Sequence, residues 1–361
     1  MSTLQTPKST VIIGTYVDKD SPSIYVSDFE KGTGALTIHQ QLSGVKNPSF
    51  LDINLDKEIV YFINVSTDEE GRNVTGVASY QLSPDHLNLT LLNEQQSLPA
   101  TSCHITLDQT KTNLIVCSYH GGMIGLIPLD NDGLVGKTKE VHQHTGSSIL
   151  PIQTQSRTHS ANIDPTNQFV IVADLGADRI VVYKLNADQH TLTPHNEISV
   201  APGAGPRHSV FHPTLPYFYV INELNSTING YQFDATLGLL TEIETLNTLP
   251  PEYSESNACA DIHISPDGLY LYGSNRGHDS IVVYQIDPSN GKLTLVEHAS
   301  TLGKHPRNFT LSPDGAYLLV ANMDSNNIVT FVRDAISGKL QPNGQILNVA
   351  KPVCIRFVEK K

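Results

Sequence analysis

No segment of the 361 residues approaches the roughly 20 consecutive apolar residues of a membrane-spanning helix. The amino-terminal "MSTLQTPKSTVIIGTYVDKD" also lacks the apolar core of a secretion signal. The expectation is a cytoplasmic protein with no membrane partner. Positive charge is scarce as well: 23 Lys and Arg stand against 36 Asp and Glu, a net charge of -13. A general phosphate-binding face needs clustered basic residues, so nucleic acid is not an expected partner and any basic patch must be local. Only four cysteines occur (Cys103, Cys117, Cys259 and Cys354), never in CxxC spacing. A reducing compartment keeps them as thiols, and they read as small buried residues within strands. The sequons "NVS" and "NLT" then carry no glycan.

Other absences narrow the chemistry. The chain has no HExxH, no acidic loop with the periodic carboxylates of a calcium site, no GxSxG elbow and no P-loop. "GAGPRH" is glycine-rich, but no helical pattern follows it, as a phosphate-binding loop would require. Serine hydrolase, dehydrogenase and kinase readings fall, and neither a metal nor a cofactor is expected. Helical periodicity is missing too: no 11-residue window carries an apolar face at 3.6 spacing, and Val, Ile, Tyr and Thr dominate the periodic runs.

What is present is a repeat. Apolar runs ending in a polar residue recur as "VIIGTY", "IVYFIN", "LIVCSY", "FVIVAD", "FYVIN", "LYGSN" and "LLVAN". Their ends fall at Thr15, Asn64, Ser118, Asp174, Asn222, Asn275 and Asn322, spaced by 49, 54, 56, 48, 53 and 47 residues. Seven turn segments rich in Gly, Asp and Asn, each followed by a Leu or Val expected to resume a strand, follow in step from "EKGTGALT" through "DNDGLVG" to "DAISGKLQ". A third series precedes the first: "PSFLDI", "CHITL", "HSANI", "RHSVF", "DIHI", "RNFTL" and, at the C-terminal end, "VCIRF". The first unit lacks this preceding strand and the last copy has nothing after it, so each chain end supplies what the other is missing. The expected fold is all-β: a seven-bladed β-propeller in one domain, residues 1–361, its ring closed by a C-terminal strand joining the N-terminal blade. A solenoid would need atypical capping repeats, which this permuted start and finish argue against.

If the third and first series are antiparallel neighbours joined by hairpins such as "SPDG", the starts of the third and the ends of the first converge on one mouth of the ring. The starts carry His104, Arg157, His159, Arg207, His208, His305 and Arg307. The ends carry Tyr119, His120, Glu223 and Arg276. Four of the chain's eight arginines are thus assigned to one place. A guanidinium fork binds carboxylate or phosphate bidentately, so the set points to a small anionic ligand. The other use of these arginines is to tie neighbouring blades together. Glu223 or His159 could carry a proton while arginines hold the anion and stabilise charge on an ester oxygen, a set suited to opening or closing a lactone.

"DLGADRIVVY", "GAGPRHSVFHP", "YVINELNSTI", "SNRGHDSIVVYQID" and "HPRNFTLSPDGAYLLVAN" together resemble the family of seven-bladed propeller lactonases. That family includes cycloisomerase-type 6-phosphogluconolactonases and 3-carboxy-cis,cis-muconate lactonizing enzymes, and the resemblance runs over essentially the whole chain. It implies metal-independent lactone chemistry at the propeller mouth. His159, Arg207, Glu223 and Arg276 match the catalytic positions and Arg307 matches the family's "PR" motif. His208, Arg157, Tyr119, His305 and His104 complete the expected substrate-binding rim. The chain departs from the family in "SRTHS", where a "PHxHS" pair is usual, and at Asn64 and Val65, where "NE" is common. Three functions follow as expectations: a lactonase acting on 6-phosphogluconolactone in the pentose phosphate pathway, a carboxymuconate cycloisomerase, or a non-catalytic propeller binding an anionic metabolite or a protein. A closed ring has no obligatory partner edge, so a monomer or a weak homodimer is expected.

Overall fold

The continuous apolar runs form strands buried on both faces, as in "FVIVAD" (Phe169–Asp174), where all six residues are buried. The computed structural model describes residues 8–67 and 70–359. Their strands make seven four-stranded antiparallel sheets and no helix. Six sheets use four consecutive strands, and the seventh joins the last strand, β28 (Pro352–Phe357), to the first, β1 (Lys8–Thr15). The expected propeller and its closure are both present, with β28 supplying the innermost strand of the first blade.

The innermost strands surround the axis: β4 (Leu51–Asn54), β8 (His104–Leu107), β12 (Thr158–Ile163), β16 (Pro206–Phe211), β20 (Ala258–Ile264), β24 (Pro306–Leu311) and β28. Each packs against the innermost strand of the next blade. Apolar clusters lie between blades: Tyr270, Tyr272 and Val283 of the sixth meet Phe309, Leu318 and Val320 of the seventh. Leu319, Ala321 and Ile328 of the seventh meet Val11, Ile13 and Ile355 of the first, so ring closure buries core. Each such large side chain, fully buried, contributes about 1.5–3 kcal/mol.

The glycine-rich turns have a shared structural role. The Tyr272 hydroxyl donates to the Gly338 carbonyl at 2.9 Å, and Tyr219 and Tyr61 make the same bond to Gly291 and Gly133 at 2.7 Å, each reaching the turn of the next blade. Gly338 has φ +72°, and a Cβ there would lie 2.3 Å from the Tyr270 ring, so both backbone and space require glycine. The third unit departs from the sequence expectation. "DNDGLVG" does not resume a strand but closes a single bridge between Leu129 and Val135, and the outer strand is only Glu140–Gln143. Pro128, ending the neighbouring strand, has no N–H to extend the ladder.

Candidate active site

The inner strands do not all pair regularly. In β12 the register passes from Thr158↔Asp174 to Ser160↔Ala173, leaving His159 as an extra residue. In β16 the same shift leaves Arg207, and in β24 it leaves Arg307. A bulge bends the strand and re-aims its extra side chain. Three blades thus carry His159, Arg207 and Arg307 at one structural position, the second residue of the inner strand. The neighbouring strands add residues just past their ends. Tyr119 follows β9 (Asn113–Ser118), Glu223 follows β17 (Tyr217–Asn222), and Arg276 ends β21 (Tyr270–Arg276).

These elements enclose a cavity of about 620 Å³ at one mouth of the ring, lined in part by Tyr119, His159, Glu223, Arg276 and Arg307. Glu223 Oε2 accepts from Arg207 Nε at 2.8 Å and from Arg276 Nη2 at 2.9 Å. Burial pushes the Glu223 carboxyl up, but Arg276, Arg207 and Arg307 outweigh it and hold the group below the usual carboxylate range. Glu223 is therefore an anion at neutral pH. Arg207 lies beneath it, 2% exposed, with Nη1 donating to the Ala260 carbonyl. Arg276 also donates to the carbonyls of Ala258 and Cys259, at 3.1 and 2.7 Å. Arg207 reaches a carbonyl of the sixth blade and Arg276 of the sixth blade holds Glu223 of the fifth, so both arginines serve the second of the two uses, tying neighbouring blades together.

Arg307 differs. Its guanidinium stands 5.8 Å from the centre of the Tyr16 ring and, among the described residues, has no carboxylate within ion-pair distance. Burial, and after it Arg276, works against its charge, yet a guanidinium stays protonated at neutral pH. It is a cation free to take an anion. His159 is 4% exposed. Burial first, then Arg207 and His208, keeps its imidazole well below the ordinary histidine range and neutral at pH 7. Tyr119 packs edge-on to it, with centroids 5.6 Å apart.

Four residues expected on the rim lie elsewhere. Arg157 sits behind Tyr119, its guanidinium 4.8 Å from the ring centre and its Nε donating to the Ile152 carbonyl, because it precedes the bulge that turns His159 inward. His305 pairs with Asp324 at 3.3 Å in a shallow outer depression. His104 and His208 face a second chamber toward the opposite end of the axis. His208 follows its bulged neighbour and so points away from it, Nδ1 bonded to Asp261 at 2.7 Å.

The cavity also includes residues that sequence reasoning missed: Tyr16, Lys46, Ser49, Ser102 and Cys103. Cys103 corrects the expectation of four cysteines within strands. It lies just before β8, half-buried, its Sγ 3.2 Å from the His159 carbonyl, and burial pushes its thiol up to about 11. Tyr16 could have been found. It directly follows the polar end of the first apolar run, as Tyr119, Glu223 and Arg276 follow theirs. Among the described residues no group of three or more His, Cys, Asp or Glu is arranged to hold a metal ion.

Residues 10–357 match the family described as "Lactonase, 7-bladed beta-propeller". The 6-phosphogluconolactonase of Bacillus subtilis is 32% identical over 348 residues, covering 96% of this chain and 98% of that protein. The 6-phosphogluconolactonase of Formosa agariphila is 36% identical, covering 83% of this chain and 86% of its own length. Among solved structures, the periplasmic gluconolactonase of Pseudomonas aeruginosa superposes with a TM-score of 0.92 at 28% identity, over 98% of this chain and 99% of that one.

Proposed function

The chain belongs to the seven-bladed β-propeller lactonase family, and from that premise we propose that it hydrolyses 6-phosphogluconolactone in its cationic cavity. The observation that carries the choice of a phosphorylated substrate is Arg307, a cation in the cavity without a carboxylate of its own. The two 6-phosphogluconolactonases among its relatives support the same substrate.

In the proposed reaction Arg307 binds the phosphate, and Arg276 faces the lactone carbonyl. Water adds to that carbonyl carbon and gives its proton to the neutral His159 imidazole, while Arg276 stabilises the charge arriving on the carbonyl oxygen. Collapse of the tetrahedral intermediate breaks the bond to the ring oxygen. That oxygen takes the proton back from His159, whose imidazolium the surrounding arginines disfavour. The new carboxylic acid then ionises to solvent. Glu223, held anionic by Arg207 and Arg276, fixes both guanidiniums and offsets their charge. No covalent intermediate and no cofactor enter these steps.

The test is the opening of freshly generated 6-phosphogluconolactone, measured above its spontaneous rate with a chelator present. Saturable, chelator-resistant turnover is expected. Arg307→Ala should raise KM for this lactone by about 10–100-fold, as loss of a charge-assisted contact does, and leave the opening of unphosphorylated gluconolactone nearly unchanged. A wild-type rate equal to background would overturn the assignment. Equal losses on both lactones would move Arg307 from phosphate binding to the chemistry itself.

A further inference from the structure

Among the described residues lining the cavity Glu223 is the one carboxylate, and Arg207 and Arg276 already hold it. Two other cations, Arg307 and Lys46, line the same space, and neither has a carboxylate within ion-pair distance among the described residues. The internal repeat explains why Lys46 has none. Val65 takes in the second blade the place of Glu223 in the fifth: each directly follows an asparagine, and each N–H donates to a carbonyl ahead of its inner strand. Val65 donates to Lys46 at 3.0 Å and Glu223 to Gly205 at 2.7 Å. Both line the cavity, but valine brings Lys46 no charge.

Arg307, Tyr16 and Lys46 come from three consecutive blades: the seventh, the first and the loop entering the second. The Asn47 N–H donates to the Val17 carbonyl at 3.0 Å, which ties the Lys46 loop to the strand end that carries Tyr16. The Tyr16 ring lies beside the Arg307 guanidinium, and its hydroxyl has no hydrogen-bond partner among the described residues. Tyr16 is 44% exposed where His159 is 4%, so this side is the outer rim of the cavity and His159 its buried part. A substrate with its lactone at His159 puts its far end at the rim.

A phosphate monoester presents three acceptor oxygens and a charge of about -1.5 to -2 at pH 7. A guanidinium fork takes two oxygens and supplies one positive charge, so Arg307 alone leaves an oxygen and much of the charge unmatched. We propose that Tyr16 and Lys46 complete the phosphate site around Arg307, the phenol as the donor to the third oxygen and the ammonium as the second positive charge. The assignment rests on the hydrolysis of a phosphorylated lactone proposed above. It makes this rim the part of the cavity that selects a phosphorylated substrate.

The test compares kcat/KM for 6-phosphogluconolactone and for gluconolactone in wild type, Tyr16→Phe, Lys46→Met and Lys46→Arg, and titrates the product 6-phosphogluconate by calorimetry. Tyr16→Phe and Lys46→Met should each lower the preference for the phosphorylated lactone about tenfold, with the loss in KM, and weaken 6-phosphogluconate by a similar factor. Lys46→Arg keeps the charge and should stay within about threefold of wild type. A packing defect would slow both lactones alike and leave the preference unmoved. An unmoved preference in either Tyr16→Phe or Lys46→Met overturns the proposal. Calorimetry needs no turnover, so the two assignments fail separately. No hydrolysis, but 6-phosphogluconate binding that depends on Tyr16 and Lys46, would remove the reaction and keep the phosphate site. Hydrolysis with product binding indifferent to both residues would remove the site and keep the reaction.

Discussion

The fourth and seventh blades reach the cavity through a bulge and in the fifth a bulge sets Arg207 beneath the cavity's Glu223, whereas the second and third blades reach it through loop residues ahead of short, regularly paired strands. In the first group the extra residue of the bulge is His159, Arg207 or Arg307. In the second the register runs unbroken over Leu51–Asn54 and His104–Leu107, and the cavity wall is Lys46, Ser49, Ser102 and Cys103. A bulge is fixed by the ladder on both sides, so it holds its extra side chain with little freedom to move. A loop wall is held by fewer bonds and can change residue without disturbing a strand. We read the bulged arc as the part that does chemistry and the loop arc as the part that accommodates the body of the substrate.

Breaking the bulged arc should have the largest effect. His159→Gln keeps a polar side chain at the position but cannot shuttle the proton, and kcat should fall by about 10²–10⁴-fold, the usual contribution of a positioned acid–base group. A stopped-flow assay with unchanged KM would assign the loss to the chemical step. If kcat stays within about threefold of wild type, His159 is not the proton carrier and Glu223 becomes the candidate.

The same arc and the second chamber behind it set the acid limit of the fold. His208 has a pKa of about 4 in the folded protein, against an ordinary 6.5. As pH falls through 6.5 the unfolded chain takes up a proton that the folded chain refuses, so stability is full above that value and is lost toward 4. Over a drop to about pH 4.5, His208 alone accounts for roughly 3 kcal/mol at 1.36 kcal/mol per unit. His104 and His159 are shifted in the same direction, also chiefly by burial. Glu223 and Asp261, both lowered, favour the fold above the ordinary carboxylate range and lose that advantage only at still lower pH. Urea midpoints between pH 7 and 4.5 should therefore fall with pH. A flat profile would mean that these imidazoles are charged inside the fold.

The two arcs also differ in how much of them could be read from sequence. Seven apolar runs with polar ends fixed the blade count, and the unmatched first and last strands fixed the closure, because both are patterns of burial that any strand of this kind must obey. Glu223, Arg276 and Tyr119 were legible because they directly follow those polar ends. His159, Arg207 and Arg307 were legible as ionisable residues near strand starts. The direction in which each side chain points was not legible. Period-2 alternation cannot foresee an extra residue, so His208, one step past a bulge, was expected beside Arg207 and faces the other chamber. Lys46 and Ser102 were missed for another reason: they lie in loops, outside any repeated pattern.

The smallest effect is expected on the loop arc, where it sharpens the contrast. Ser102 is buried at the cavity wall, and its hydroxyl oxygen has no partner among the described residues. If the wall only shapes the space for the sugar body, Ser102→Ala removes at most one neutral hydrogen bond. The change in kcat/KM should then be within about tenfold, the scale of a net bond of 0.5–1.5 kcal/mol, and should appear in KM with kcat unchanged. A fall in kcat as large as that of His159→Gln would contradict the division. It would mean that the unbulged blades also hold the transition state, and that rigidity of the strand ladder is not what separates chemistry from accommodation in this ring.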